Sequence, residues 1–382
     1  MTTKQHLAEL ANAVVDRLHG AALVERALTT EAPTGPVTLW AVGKAACAMA
    51  LGARAALGDR LTGGLIIGGD DRLRCAGLPV LTGGHPIPDA RSAVAGEALL
   101  AAARATRPGQ EIVLCLSGGA SALAAAPAPG VRLDELRDRT RQLLASGAHI
   151  ADINAARRRL TALGGGKLAA ATRGRLSVLG LSDIILPSDV DGDDDDQVWA
   201  ALGSGPAFAE AATAPPRRLL ATPRTLRDHA VAAIDQRGWI ATAEPLFCAT
   251  VDELADQLVA KEPTLTAASV VVIVGEPRVH LAADHGQGGR AQQLALLVAA
   301  RLGGRPFALV AVGSDGRDGP TDAAGAAVDG HTTAEAAAAG LDLALAARRC
   351  DSHPTLRALG CTLPRRETGT NVCDLYLLAR TT

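Results

Sequence analysis

Apolar runs too short to be helices recur along the chain, at 37–42, 64–67, 111–116, 176–181, 269–274, 307–312 and 371–379. Such runs suit strands buried on both faces, as in a parallel sheet. Between them the apolar positions move to helical spacing, beginning with Leu7, Leu10, Val14, Leu18 and Val24 over residues 4–28. Further helices are predicted over 45–57, 90–105, 133–146, 152–163, 224–237, 289–301 and 332–340. Asp89 stands where it would cap the helix over 90–105, and Thr222-Pro223 makes a cap and first turn for the one over 224–237. Strands alternating with helices predict parallel βαβ units and therefore an α/β fold. Periodicity lapses in the Ala- and Pro-rich stretch 204–223, which places a boundary between residues 1–221 and 222–382. The expected architecture has two lobes and no internal repeat.

The strand ends are where the pattern becomes informative. The run 307–312 empties into Gly313-Ser314-Asp315-Gly316-Arg317-Asp318-Gly319-Pro320, a loop placed by this reading at the carboxyl edge of a parallel sheet. Ligands bind at that edge in open α/β sheets. Aspartate there can ligate Mg²⁺ or take a substrate proton, although Asp-Gly pairs also mark ordinary solvated turns. Three other junctions carry small or reactive residues: Gly43-Lys44, Ser117-Gly118-Gly119-Ala120-Ser121, and Ser182-Asp183. Glycines and hydroxyls at a helix N-terminus suit an anion such as phosphate, and equally a tight turn with serine caps. Lys44 stands where a flexible cation would reach a phosphate, and Arg290, after Gly288-Gly289, could grip one with two parallel donors. The acidic run with Asp189, Asp191 and Asp193 to Asp196 reads as a solvated loop, so Asp183, directly after a strand, is the better metal candidate.

Composition narrows the class. The chain has 382 residues, enough for two domains with separate cores, and a net charge of −2 that offers no basic surface for nucleic acid. Aromatic residues make up only 2%, which removes the stacking platforms of single-strand binders. Seven cysteines stand singly without a C-x-x-C pair, a usage suited to a reducing cytosol rather than to zinc or a disulfide framework. No signal-peptide pattern opens the chain, and no apolar run approaches the ~20 residues of a membrane span, so a cytoplasmic protein is expected. The P-loop signature is absent, because Gly166-Lys167 precedes Leu168 and Gly43-Lys44 precedes Ala45. No G-x-G-x-x-G follows a predicted strand.

Taken in order, the motifs resemble the class II glycerate 2-kinases, glycerate kinases with a C-terminal MOFRL domain. The shared words are Gly43-Lys44-Ala45-Ala46, Gly84-His85-Pro86-Ile87-Pro88-Asp89, Leu116-Ser117-Gly118-Gly119-Ala120-Ser121 and Asn154-Ala155-Ala156-Arg157-Arg158. They continue through Ser182-Asp183, Gly203-Ser204-Gly205-Pro206, Gly275-Glu276, Gly288-Gly289-Arg290, residues 313–325 and Thr368-Gly369-Thr370-Asn371-Val372. The resemblance implies a Rossmann-like larger lobe over 1–221, a smaller MOFRL-like α/β lobe over 222–382, and a site in the cleft between them. It implies ATP-dependent phosphorylation of D-glycerate at O2 with Mg²⁺, and catalytic roles for Lys44, Arg290 and Asp315. Asn154, Arg158, Gly288 and Gly289 then join residues 117–121 as phosphate- or substrate-binding positions. The expected partners are a nucleotide and a small hydroxy acid, with no nucleic acid or membrane and, for any self-association, a homodimer.

Some positions depart from the family pattern. Where the family has Asn and then Gln-Glu after the arginine, this chain has Ala291, Gln292 and Gln293. Gly164-Gly165-Gly166 replaces Lys-Gly-Gly, Arg159 replaces a histidine, and Arg365-Arg366-Glu367 replaces Thr-Gly-Pro. Changes beside a catalytic arginine can redirect which hydroxyls a pocket satisfies, which extends the expected acceptors to other sugar acids or polyols. Two alternatives stand beside the kinase. A hydroxypyruvate reductase needs a nicotinamide site, and a catalytically silent kinase-like binding protein would keep the anion loops without turnover.

Overall fold

A computed structural model gives the fold and describes residues 2–31, 33–69, 75, 77–145, 150–186, 195–208, 214–282 and 284–381. Of the acidic run, Asp189, Asp191, Asp193 and Asp194 lie outside the described residues, whereas Asp195 and Asp196 open the helix Asp195–Ala201, with Asp196 paired to Arg217, so a loop is not what they form. Two units make up the chain.

The amino-terminal unit comprises His19–Thr222 with Gly369–Asn371. Its six-stranded sheet contains β1 (Val37–Val42), β2 (Leu61–Gly68), β3 (Val80–Thr82), β4 (Glu111–Ser117), β5 (Arg175–Leu181) and β6 (Arg217–Ala221). The spatial order is β3-β2-β1-β4-β5-β6, and each neighbouring pair is parallel. This is the strand order of a Rossmann sheet, as expected. The central strands β1 and β4 are buried almost throughout, which is why each reads as an unbroken apolar run. Trp40, Leu114 and Val178 from three adjacent strands share one core with Leu99 of helix Ala90–Arg104. That helix starts where its sequence announced it: Asp89 accepts from Ser92 N at 3.1 Å while Ser92 Oγ accepts from Asp89 N.

The carboxyl-terminal unit comprises Met1–Leu18, Pro223–Thr368 and Val372–Thr382. Its sheet contains β7 (Ile240–Ala243), β8 (Ser269–Gly275), β9 (Phe307–Gly313), β10 (Ala323–Asp329), β11 (Thr362–Pro364) and β12 (Asp374–Arg380), in the order β11-β10-β9-β12-β8-β7. Here the expectation of a parallel sheet is corrected. Strand β9 runs antiparallel to both neighbours, β10 and β12. The residues between β9 and β10 are too few for a crossover, and so short a connection can only turn the chain back on itself. The glycine-rich stretch after β9 is therefore a turn between antiparallel strands. Helix Thr3–Asp16 packs its buried face, Leu7, Leu10 and Val14, on β9 and β10 and is tied there by Lys4–Asp329 at 2.9 Å and by Arg366–Asp16. A boundary drawn from composition at 221/222 has no means of registering this return of the first helix.

Candidate active site

In the amino-terminal unit the chain winds outward from β1 through β2 to β3, then returns to place β4 on the other side of β1. The crevice at the carboxyl ends of β1 and β4 is thus the topological switch point, where open α/β sheets bind ligands. Val42 pairs with Leu116, so Gly43-Lys44 and the loop 117–121 leave the sheet side by side. Lys44 N donates to Gly118 O at 2.9 Å, and Ala45 N donates to Ser117 Oγ at 3.0 Å. Gly43 has a φ of 126°, and a Cβ there would lie 2.2 Å from Ser117 Oγ, so only glycine permits this junction. Ser117 is fully buried and its oxygen is committed to Ala45. It braces the two loops, a role different from the exposed donor that its motif suggested.

Lys44 is exposed, and its stem and the exposed His85 both flank Gly119, with a Cβ there 3.3 Å from Lys44 Cγ and 3.2 Å from His85 Nε2. The helix opened by Ala120 is a single turn, Ala120–Leu123. A macrodipole that grows with aligned peptides is small over four residues, so this turn adds little field of its own at the loop. Ser121 Oγ accepts from Arg157 Nη1 at 3.0 Å, and the same guanidinium reaches Pro86 O. Arg158 turns elsewhere and donates to Ala200 O at 3.1 Å. Asn154 is 3% exposed and bonds Ala201 O and Ser204 Oγ. Asn154 and Arg158 therefore brace the helix Ile150–Leu160 against residues 200–204, and Arg157 is the arginine that meets the glycine loop. Adjacent helical residues point about 100° apart, so only one of the pair can do so.

Asp183, half-buried after β5, receives a 2.6 Å hydrogen bond from Asn371 Nδ2. Both press on Gly118, where a Cβ would lie 2.0 Å from Asp183 Oδ2 and 2.3 Å from Asn371 Nδ2. Sequence reasoning gave Asn371 no role, since it stands 188 positions from Asp183. Its only signal was membership of the word around Thr368-Gly369. Among the described residues no three His, Cys, Asp or Glu side chains gather into a metal-binding group.

In the carboxyl-terminal unit Arg290 is the first residue of helix Arg290–Leu302, and its fork is engaged. Nε donates to Asp374 Oδ2 at 2.5 Å, while Nη2 donates to Asp374 Oδ1 at 3.2 Å and to Glu276 Oε1 at 2.7 Å. Burial works against the Arg290 charge, but Asp374 and Glu276 outweigh it and hold its pKa well above the ordinary value. Asp374 also accepts from Tyr376 Oη at 3.0 Å. Burial pushes its carboxyl up to about 6, against the pull of Arg290. Neither carboxylate was foreseen as a partner of the arginine. Asp315 is half-buried and accepts from Arg317 N at 3.0 Å, a local Asx turn. Gly288 and Gly289 make room for protein: a Cβ would meet Ser352 Oγ at 2.1 Å or Asp318 Oδ1 at 2.2 Å. Ala291, Gln292 and Gln293 are all buried, with Gln293 Nε2 donating to Ala347 O. The departures from the family pattern here thus fall on buried positions at the start of this helix.

Residues 6–234 match the family model described as a domain of unknown function, DUF4147, and residues 269–374 match the MOFRL family. A D-glycerate 2-kinase of Thermotoga maritima is 30% identical, over 99% of this chain and 99% of its own. The chain belongs to the class II glycerate kinase family. A glycerate 2-kinase of Pyrococcus horikoshii is 28% identical across 90% of this family member and 87% of its own length. A protein of Agrobacterium vitis named a putative hydroxypyruvate reductase is 30% identical over 90% of this chain and 87% of that one. Among solved structures, a glycerate kinase from Thermotoga maritima superimposes with a TM-score of 0.80 at 28% identity, covering 98% of this chain and 100% of that one.

Proposed function

We propose that this protein transfers the γ-phosphoryl group of ATP to the O2 hydroxyl of D-glycerate, with Mg²⁺, in a cytoplasmic setting. The observation that carries the reading is Lys44 standing beside the loop 117–121 at the β1/β4 crevice, in a chain similar over its whole length to a D-glycerate 2-kinase. Phosphoryl transfer asks a protein to position groups and neutralise charge more than to form bonds. On this reading the N–H groups of Gly118, Gly119, Ala120 and Ser121 hold phosphate oxygens, and Lys44 meets the oxygens of the transferring group. Arg290 supplies a second cation, and Asp315 orients the acceptor hydroxyl or takes its proton.

The Asp183 carboxylate fits Mg²⁺, a hard ion that commonly rests on one or two carboxylates together with substrate phosphates and water, and Asn371, whose Nδ2 donates to Asp183, would hold that carboxylate in place. When bound, the ion would neutralise charge between the phosphates. The relatives named putative hydroxypyruvate reductase favour a second reading, hydride transfer from a nicotinamide cofactor. Against it, the turn after β1 runs Gly43-Lys44-Ala45, without the glycine pattern that lets a pyrophosphate approach a helix N-terminus.

One assay separates the two. The protein is incubated with Mg·ATP and a panel of small hydroxy acids, and in parallel with NADH and hydroxypyruvate. Acceptor-dependent ADP release is expected. Loss of NADH absorbance, with no ADP released from any acceptor, would transfer the chain to the reductases.

A further inference from the structure

Asp318 stands in the turn after β9, is 3% exposed, and has no part in the chemistry assigned above. Its carboxylate is saturated. Oδ1 accepts from Ala291 N at 3.0 Å, and Oδ2 accepts from Gln292 N at 2.8 Å and from Gln292 Nε2 at 2.9 Å. Ala291 and Gln292 follow Arg290 at the start of helix Arg290–Leu302, whose cap residue, Gly289, has no side chain to satisfy those N–H groups. A carboxylate from a separate turn therefore performs the capping that Ser, Thr or Asp usually performs locally.

The surroundings are shaped for this contact. A side chain on Gly289 would collide with Asp318 Oδ1 at 2.2 Å, and one on Gly319, whose φ is +61°, would collide with Gly288 O at 2.4 Å. The two glycine loops thus lie backbone against backbone. Gln292 Nε2 also donates to Thr321 Oγ1 at 3.1 Å, which fixes the amide so that its oxygen faces His353 Nδ1 at 2.8 Å. Thr321 Oγ in turn donates to Asp318 O at 2.7 Å. Burial pushes the Asp318 carboxyl above its ordinary range, against the pull of the three N–H donors and of Arg290.

We propose that Asp318 is a positioning residue for Arg290: by clamping the first two N–H groups after it, Asp318 fixes where the helix begins and hence the backbone position from which Arg290 reaches Asp374 and Glu276 and presents its guanidinium to a phosphoryl group. The inference rests on the catalytic role given to Arg290. A group held by a preorganised frame contributes to the transition state in proportion to how little it must move, and a displacement near 1 Å can cost about 10²-fold.

The test is a double-mutant cycle read with γ-³²P-labelled ATP, D-glycerate and Mg²⁺. Asp318→Asn keeps the shape and removes one of the two acceptor oxygens. Expected alone is a fall in kcat of about 10–100-fold, with both KM values within about threefold of the parent. In an Arg290→Ala background the same change should alter kcat by less than about threefold, because the group being positioned is gone. Thr321→Val, which removes one hydroxyl from the frame, should repeat the pattern on a smaller scale and serves if Asp318→Asn does not fold. Equal losses with and without Arg290, or an unchanged kcat in the Asp318→Asn protein, overturn the inference. Undiminished activity of Arg290→Ala instead overturns the role of Arg290 on which it rests.

Discussion

Gly118→Ala tests whether the contact among Asp183, Asn371 and the glycine loop supports catalysis. The backbone at Gly118 lies outside the left-handed region, so alanine brings no conformational penalty there. The cost comes from space. The new methyl group would lie 2.0 Å from Asp183 Oδ2 and 2.3 Å from Asn371 Nδ2, where ordinary contact begins near ~3.4 Å. Both side chains must retreat by more than about 1 Å, which breaks their 2.6 Å hydrogen bond. A hydrogen bond to a charged group is worth about 1.5–3 kcal/mol, and crowding a packed site typically costs ~1–3 kcal/mol. A net loss of about 3 kcal/mol corresponds to a fall in Tm of roughly 6–12 °C for a unit of this size. Displacing Asp183 by that distance should also lower kcat about 10²-fold at saturating Mg·ATP and acceptor. Thermal melting and an ADP-release assay read the two effects. Introduced into an Asn371→Ala protein, the same substitution should cost less, since one of the colliding groups is absent. A Gly118→Ala protein with the parent Tm and kcat would show that the loop and Asp183 are independent, and the reasoning would fail.

The buried pair at Arg290 carries a pH signature. Asp374 has its carboxyl pushed up to about 6 in the folded protein, against about 3.9 unfolded. A raised carboxyl contributes stability that is present below the unfolded value and lost as pH rises through about 6. The stability difference between the parent and Asp374→Asn should therefore shift by roughly 2 kcal/mol against the parent from pH 4 to pH 7, measured by urea denaturation. A difference that stays constant between those pH values contradicts the assignment. Lys44→Ala should lower kcat by about 10²–10³-fold, the scale for removing one electrostatic stabiliser, and an unchanged kcat would make Lys44 an ordinary surface charge.

The strands that sequence revealed are the ones buried on both faces. β4 and β9 read as apolar runs because each lies inside its sheet. The edge strands escaped notice for the complementary reason. β6 opens with Arg217 and Arg218, and β7 is largely exposed, so neither carries a continuous apolar signal. β10 was hidden differently. Its Ala323-Ala324-Gly325 start reads as the end of a glycine loop, although all seven of its residues are buried.

The candidate site divided along a similar line. Residues fixed by local chemistry were legible: Gly43-Lys44 and the loop 117–121 are strand ends, and strand ends announce themselves. Residues defined by long-range pairing were not. Nothing in the spacing of Glu276, Arg290 and Asp374 says that one guanidinium bridges both acids. Nor could sequence separate Arg157 from Arg158, because the choice depends on how the helix is rotated against the loop.

Transfer of phosphate to a defined oxygen tests the central claim most directly. The protein is incubated with Mg·ATP and D-glycerate, and the product is followed by proton-coupled ³¹P NMR. ADP should appear only when acceptor is present, together with a phosphomonoester whose signal is a doublet, split by the single proton on C2. A triplet would place the phosphate on the CH₂ carbon and contradict transfer to O2. The absence of both ADP and any new phosphomonoester across Mg²⁺ concentrations would contradict the kinase itself.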